Sequence, residues 1–181
     1  MAYFIMLPDG TAGTNEWGNT GGGSHEASTQ SDDDQPSFIY ETTQGHEITL
    51  TTASPGVAEE NIDFDETVTV RAFTSAHYEG GSGTVDMDIK VTGLNIALGA
   101  ATVNVAVDNS YPSYTGLTNT QKALGTDWDY AGLEYAQVYL EGASRPDRFS
   151  YLRVSYIFIR VDYTAAAIAV SHNAAFFGAY F

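Results

Sequence analysis

Cysteine is absent from this chain of 181 residues. That excludes disulfide frameworks, thiolate metal sites and cysteine nucleophiles, and leaves the compartment open. Basic residues are scarce, with 7 Lys and Arg against 23 Asp and Glu and a formal net charge of -16. Neutralising phosphates needs clustered Lys and Arg, so nucleic acid is excluded as the main partner. Anionic membrane surfaces are disfavoured on the same ground. No apolar run is long enough to cross a bilayer. The apolar opening, residues 1–7, has no basic flank and stops at Pro8-Asp9-Gly10. It is expected to be a short strand or an anchoring arm rather than a signal peptide. Apolar residues at helical spacing never persist beyond about two turns, so helix should be minor.

Catalytic signatures are missing too. There is no Gly-x-Ser-x-Gly elbow, no glycine-rich phosphate loop and no His-Glu-x-x-His. His25, His46, His77 and His172 fall in presumed loops and read as surface polar groups. Asp86 and Asp88 share one strand face, which solvation explains. The expectation is a protein that is not an enzyme.

What is abundant is glycine, at 18, and aromatic side chains, with 12 Tyr, 9 Phe and 2 Trp. Short runs rich in β-branched and aromatic residues are separated by Gly and Pro turns, the pattern of an all-β sandwich or barrel. Val85, Met87, Ile89 and Val91 alternate with Asp86, Asp88 and Lys90, which predicts a half-buried strand. Val68, Val70 and Ala72 oppose Thr67, Thr69 and Arg71 in the same way. Residues 133–140 read as a strand with apolar side chains on both faces. The longest strand signal is 151–163, and its alternation changes phase. Leu152, Val154, Tyr156 and Phe158 lie on one parity, and Ile157, Ile159, Val161 and Tyr163 on the other. Either a bulge near Tyr156 resets the face, or both faces are covered. The expected architecture is a single jelly-roll-like antiparallel β-sandwich of about eight strands. It spans 37–164, between an irregular N-terminal segment, 1–36, and an apolar C-terminal arm, 165–181.

Three groups of residues are candidates for a site. Asp32, Asp33 and Asp34 beside a strand offer hard oxygens of the kind calcium takes, although the spacing is not that of an EF-hand loop. A capped, solvated turn is the favoured explanation, and calcium is the one cofactor left open. Tyr111, Tyr114, Trp128 and Tyr130 lie in a long polar loop, where they either stack on sugar rings or pack on the sandwich edge. Tyr156 and Phe158 on a second strand face, with Phe176, Phe177, Tyr180 and Phe181 in an uncharged ending, form a candidate oligomer interface. Arg145, Arg148, Arg153 and Arg160 cluster before and within the longest strand. They either pair with local carboxylates or neutralise an interface.

A Trp- and Gly-rich opening leads to Asp32-Asp33-Asp34 and then Phe38-Ile39-Tyr40, and near the end a two-faced strand precedes the run 153–163. This texture resembles the small jelly-roll virion proteins of tailed bacteriophages, found as head decorations or tail-associated parts. The resemblance implies an outer-surface cement protein that works as a homo-oligomer, a trimer by expectation, seated on partners such as the major capsid protein. The same texture resembles galactose-binding-like sandwiches, which implies a sugar-binding module, tail- or fibre-associated in a phage. If the arm drives assembly, deleting 165–181 should abolish oligomers and leave a folded core. An unchanged elution volume in size-exclusion chromatography would contradict that.

Overall fold

The computed structural model describes residues 1–20, 24–25, 27–30, 38–79, 83–94, 96–97, 100–106, 113–115, 119–120, 128–144 and 151–167. Its strands in the first half of the chain are β1 (Ala2–Met6), β2 (Pro8–Asn15), β3 (Gly18–Thr20), β4 (Phe38–Glu41), β5 (Glu47–Thr52), β6 (Thr69–Glu79) and β7 (Thr84–Gly93). The second half adds β8 (Ile96–Ala97), β9 (Ala101–Ala106), β10 (Ser113–Thr115), β11 (Asn119–Thr120), helix α1 (Tyr130–Glu134), β12 (Gln137–Gly142) and β13 (Tyr151–Tyr163).

These strands form two antiparallel sheets. The seven-stranded sheet has the order β10-β6-β13-β4-β3, with β1 also on β13 and β11 also on β6. The six-stranded sheet has the order β2-β5-β12-β7-β8, with β9 also on β7. From β4 to β7, and again from β12 to β13, each strand lies in the opposite sheet from the one before it. That alternation defines a jelly-roll-like antiparallel β-sandwich.

β13 is the central strand of the larger sheet. β6 runs along one side of it, from Tyr151↔Glu79 to Asp162↔Thr69. The other side is shared between β4, from Leu152↔Glu41 to Val154↔Ile39, and β1, from Ala2↔Tyr163 to Met6↔Ile159. Between them Gln30 bridges Tyr156. The phase change in the sequence is a bulge, because pairing steps from Val154↔Ala76 to Tyr156↔Ser75 and leaves Ser155 unmatched. The extra residue puts Leu152, Val154, Ile157, Ile159 and Val161 all on the buried side. They pack against Ile48, Leu50, Met87, Ile89, Val138 and Leu140 of the facing sheet, all fully buried.

In three places the structure departs from the pattern in the sequence. The opening segment is not irregular over its first 20 residues. β2 has the sequence PDGTAGTN, which has little strand propensity, yet it pairs with β5 through a register broken twice. Gly13 within it takes φ 66, a left-handed conformation that glycine adopts freely. Pairing to an open sheet edge has overridden local preference here. Trp17 adds an anchor, buried and donating from Nε1 to the His46 carbonyl at 3.1 Å.

Residues 133–135 are not strand. Asp129 caps α1 by accepting from the Gly132 N–H at 2.6 Å, so the chain turns before β12 begins. His77 lies in β6, buried, rather than in a loop. Beyond β13, Ala165 bridges Ile62 and the Ala166 N–H donates to the Asn61 carbonyl at 3.0 Å. The start of the expected arm is therefore tied to its own sandwich, and 168–181 lie outside the described residues.

The bulge carries the core register, which gives a graded test by urea denaturation. Ile157→Ala should lower stability by about 2–5 kcal/mol, as a buried aliphatic truncation does. Deleting Ser155 should be worse, because it turns one half of the β13 core row outward.

Candidate functional site

The side of β13 that does not face the core carries Tyr151, Arg153, Tyr156, Phe158, Arg160 and Asp162. Cross-strand pairing adds Glu79, Phe73 and Arg71 from β6, Phe38 and Tyr40 from β4, and Tyr3 and Ile5 from β1. Each of these residues alternates with a buried neighbour. Ile39 separates Phe38 from Tyr40, and Ala72 separates Arg71 from Phe73. The outer face of the seven-stranded sheet is thus a surface of aromatic rings and guanidinium groups.

The rings contact one another across the strands. Phe73 and Phe158 stack with centroids 4.9 Å apart and planes 9° apart, and Tyr156 leans on Phe158 at 5.2 Å. At the other end Tyr40 meets Phe38 edge-on at 6.2 Å and Tyr151 at 6.0 Å. Gly18 makes room for this group, since a Cβ there would lie 2.3 Å from the Tyr40 ring. Each guanidinium lies on a ring. Arg153 sits 4.3 Å from the Phe38 centroid, Arg160 sits 4.3 Å from Tyr3, and Arg71 sits 5.7 Å from Phe73. Such stacking lets the planar group keep its edge donors for other partners.

Two carboxylates orient the arginines. Glu79 pairs with the Arg153 Nη2. Asp162 accepts from the Arg160 Nη2 at 2.7 Å and Nε at 3.0 Å, and from the Arg71 Nη2 at 3.4 Å. Burial alone would push the Asp162 carboxyl up, but the two guanidiniums outweigh it and hold the group below the ordinary carboxylate range. The Arg160 guanidinium is shifted upward, chiefly by the same hydrogen bond.

Two concavities lie on this face. One, of about 620 Å³, is lined by Tyr3, Phe4, Ile5, Phe73, Phe158 and Arg160. The other, of about 240 Å³, is lined by Thr20, Phe38, Tyr40, Tyr151 and Arg153. The outer face of the six-stranded sheet has a different character. It carries Glu47, Glu141, Asp86 and Asp88 with Lys90, and Tyr139 donates between Glu47 and Glu141 at 2.8 and 2.7 Å. Burial, then those two carboxylates, push the Tyr139 hydroxyl well above its ordinary value, so it stays a proton donor.

Of the residues nominated from the sequence, Tyr156 and Phe158 do lie outward on β13, at the middle of this face. Trp128 does not reach it. Its ring is wholly buried against Gly93 and α1, so neither side is open to a sugar. Tyr130 is half-buried and donates from its hydroxyl to the Val57 carbonyl at 3.2 Å. Both residues hold the sandwich edge, the alternative open to them from the start. Tyr114 occupies the β10 position opposite Thr74. Tyr111, Asp32, Asp33, Asp34, Phe176, Phe177, Tyr180 and Phe181 lie outside the described residues. No group of three or more His, Asp or Glu side chains placed to hold a metal occurs among the described residues.

Tyr3, Phe38, Tyr40, Phe73 and Tyr151 escaped the sequence reading as surface residues. Their signal was parity, since each flanks a side chain that must be buried. It becomes readable only when the strand register is known.

No protein-family model matches the chain, and no curated protein matches it either. Solved structures with a similar course include the CBM32 module of AlyQ in complex with 4,5-unsaturated mannuronic acid. That alignment has 15% identity, covers 82% of this chain and 96% of that one, and has a TM-score of 0.43. The CBM22-1 xylan-binding domain of Paenibacillus barcinonensis Xyn10C aligns at 15% identity over 90% of this chain and 95% of that one, with a TM-score of 0.40. The enzymatically active domain of bacteriophage CBA120 tailspike protein 4 aligns at 13% identity over 90% of this chain and 19% of that one, with a TM-score of 0.32. All three scores fall below 0.5.

The Asp162 cluster has a pH signature. A carboxyl whose folded-state pKa is depressed contributes stability above its unfolded value, about 3.9, and loses that contribution as pH falls through the lower folded value. Melting temperature should therefore drop on acidification below about pH 4. Asp162→Asn should be less stable at neutral pH and show a shallower acid limb, as read by scanning calorimetry.

Proposed function

We propose that this chain is a carbohydrate-binding β-sandwich module without catalysis of its own. The outer face of the seven-stranded sheet is the binding surface. The observation that carries the reading is the set of aromatic rings laid along β4, β6 and β13, with concavities at both ends. Sugar rings present flat arrays of C–H groups that pack on aromatic faces, while their hydroxyls take hydrogen bonds from fixed polar side chains. Tyr156, Phe158, Phe73 and Phe38 would supply the rings. Arg153, Arg160 and the tyrosine hydroxyls would supply the bonds. A place in a phage tail or fibre would suit such a module, which holds a surface glycan rather than transforming it.

The same Tyr156 and Phe158 support a second reading, in which the face is covered by another copy in a capsid decoration protein on the outside of a virion. Light scattering on the purified chain separates the two, because a closed oligomer that buries this face would bind no glycan through it.

Glycan arrays should show binding that falls about tenfold, or ~1.4 kcal/mol, in Tyr156→Ala and in Phe38→Ala at unchanged melting temperature. Trp128→Ala should act on the fold instead and lower stability by about 3–5 kcal/mol. Binding that survives both face substitutions would contradict the assignment.

A further inference from the structure

We infer that the glycan taken by this face is anionic, a linear chain bearing carboxylate or sulfate groups. This inference rests on the carbohydrate reading above. The ground for it is how charge is distributed over the molecule. The chain has a net charge of -16, yet three of its seven basic residues, Arg71, Arg153 and Arg160, lie on one sheet face. They meet two carboxylates there, Glu79 and Asp162, so guanidinium is in excess. The opposite outer face carries Glu47, Asp86, Asp88 and Glu141 against Lys90.

The arginines are also built to receive an anion. Arg153 and Arg160 each sit over a ring, 4.3 Å from its centroid, and each is steadied by a carboxylate. A guanidinium has five N–H donors in a planar fork. Asp162 engages the Nε and Nη2 of Arg160, which, among the described residues, leaves the Nη1 edge for a further acceptor. Stacking and pairing remove much of the side-chain freedom that binding would otherwise have to remove. Each of these two arginines lines one of the two concavities, together with aromatic rings.

Their spacing points to a chain rather than a single sugar. Arg153 and Arg160 are seven positions apart on β13, which at about 3.3 Å per residue, less the bulge, is roughly 20 Å. Tyr156 and Phe158 lie between them. Acidic groups near both ends of a stacked oligosaccharide would meet an arginine at each concavity. The acidic excess elsewhere does not defeat this. The second sheet lies about 10 Å behind the first, and at physiological salt charges beyond about 8 Å are largely screened.

Titration calorimetry at physiological ionic strength, on the full chain, tests the inference. The probes are short and long oligogalacturonates, sulfated galactan oligomers, and neutral xylo- and gluco-oligosaccharides. Acidic oligomers should bind at least about tenfold more tightly than neutral ones, and long ones more tightly than short ones. R153Q and R160Q should each remove most of that preference, R153Q at unchanged melting temperature and R160Q with a lowered one because buried Asp162 loses its main partner, and raising the salt should erode it. The carboxylated and sulfated probes show which acid group the arginines take. Equal binding of neutral and acidic chains, lost in F38A and unaffected by R153Q and R160Q, would overturn the anionic inference and leave the carbohydrate reading standing. Binding of none of the probes would overturn both.

Discussion

One unmatched residue governs the arrangement of this molecule. With Ser155 left out of the pairing to β6, a strand of thirteen residues keeps its aliphatic side chains inward along its whole length. Without that step, period-2 geometry would put either Leu152 and Val154 or Ile157, Ile159 and Val161 on the wrong side. The same step fixes the other face. It leaves Arg153 outward before the bulge, and Tyr156, Phe158 and Arg160 outward after it. Core and candidate site are therefore two sides of one register, and neither can change without the other.

Charge follows the division between the sheets. The smaller sheet presents carboxylates and a Tyr139 hydroxyl bonded between Glu47 and Glu141. The larger sheet presents guanidiniums laid on rings and held by Glu79 and Asp162. Exposed ion pairs contribute little to stability. Asp162 differs because it is buried and contacts two arginines, so it fixes β6 to β13 at the end of the sheet where β1 also docks. The arginines are held by ring contacts as well as by ion pairs.

Much of the fold was legible because alternation was clean where one side is buried and the other wet. The strand 85–91 and the phase break near Tyr156 could both be read from period alone. The strands of residues 8–20 could not, since a glycine-rich segment pairs for reasons that lie in its partner. Residues 133–135 misled because Leu133 and Ala136 are buried at a helix end while Tyr135 is exposed, which mimics a two-faced strand. The site was half legible. Tyr156 and Phe158 stood out against the core parity of the same strand. Phe38, Tyr40 and Phe73 became surface residues only through pairing with β13, and Trp128 attracted a ligand role by its chemistry while its position made it core.

The dependence of three strands on β13 has a consequence for biosynthesis. β1, β4 and β6 are all made well before residues 151–163, and all three hydrogen-bond to that segment. Until it leaves the ribosome, the larger sheet lacks its spine, and the earlier strands have unsatisfied edges and uncovered rings. Topologies of this kind fold slowly and cannot be completed piecemeal on the nascent chain. Slow translation would not help this protein to fold. The larger sheet should close only once that late strand has been made.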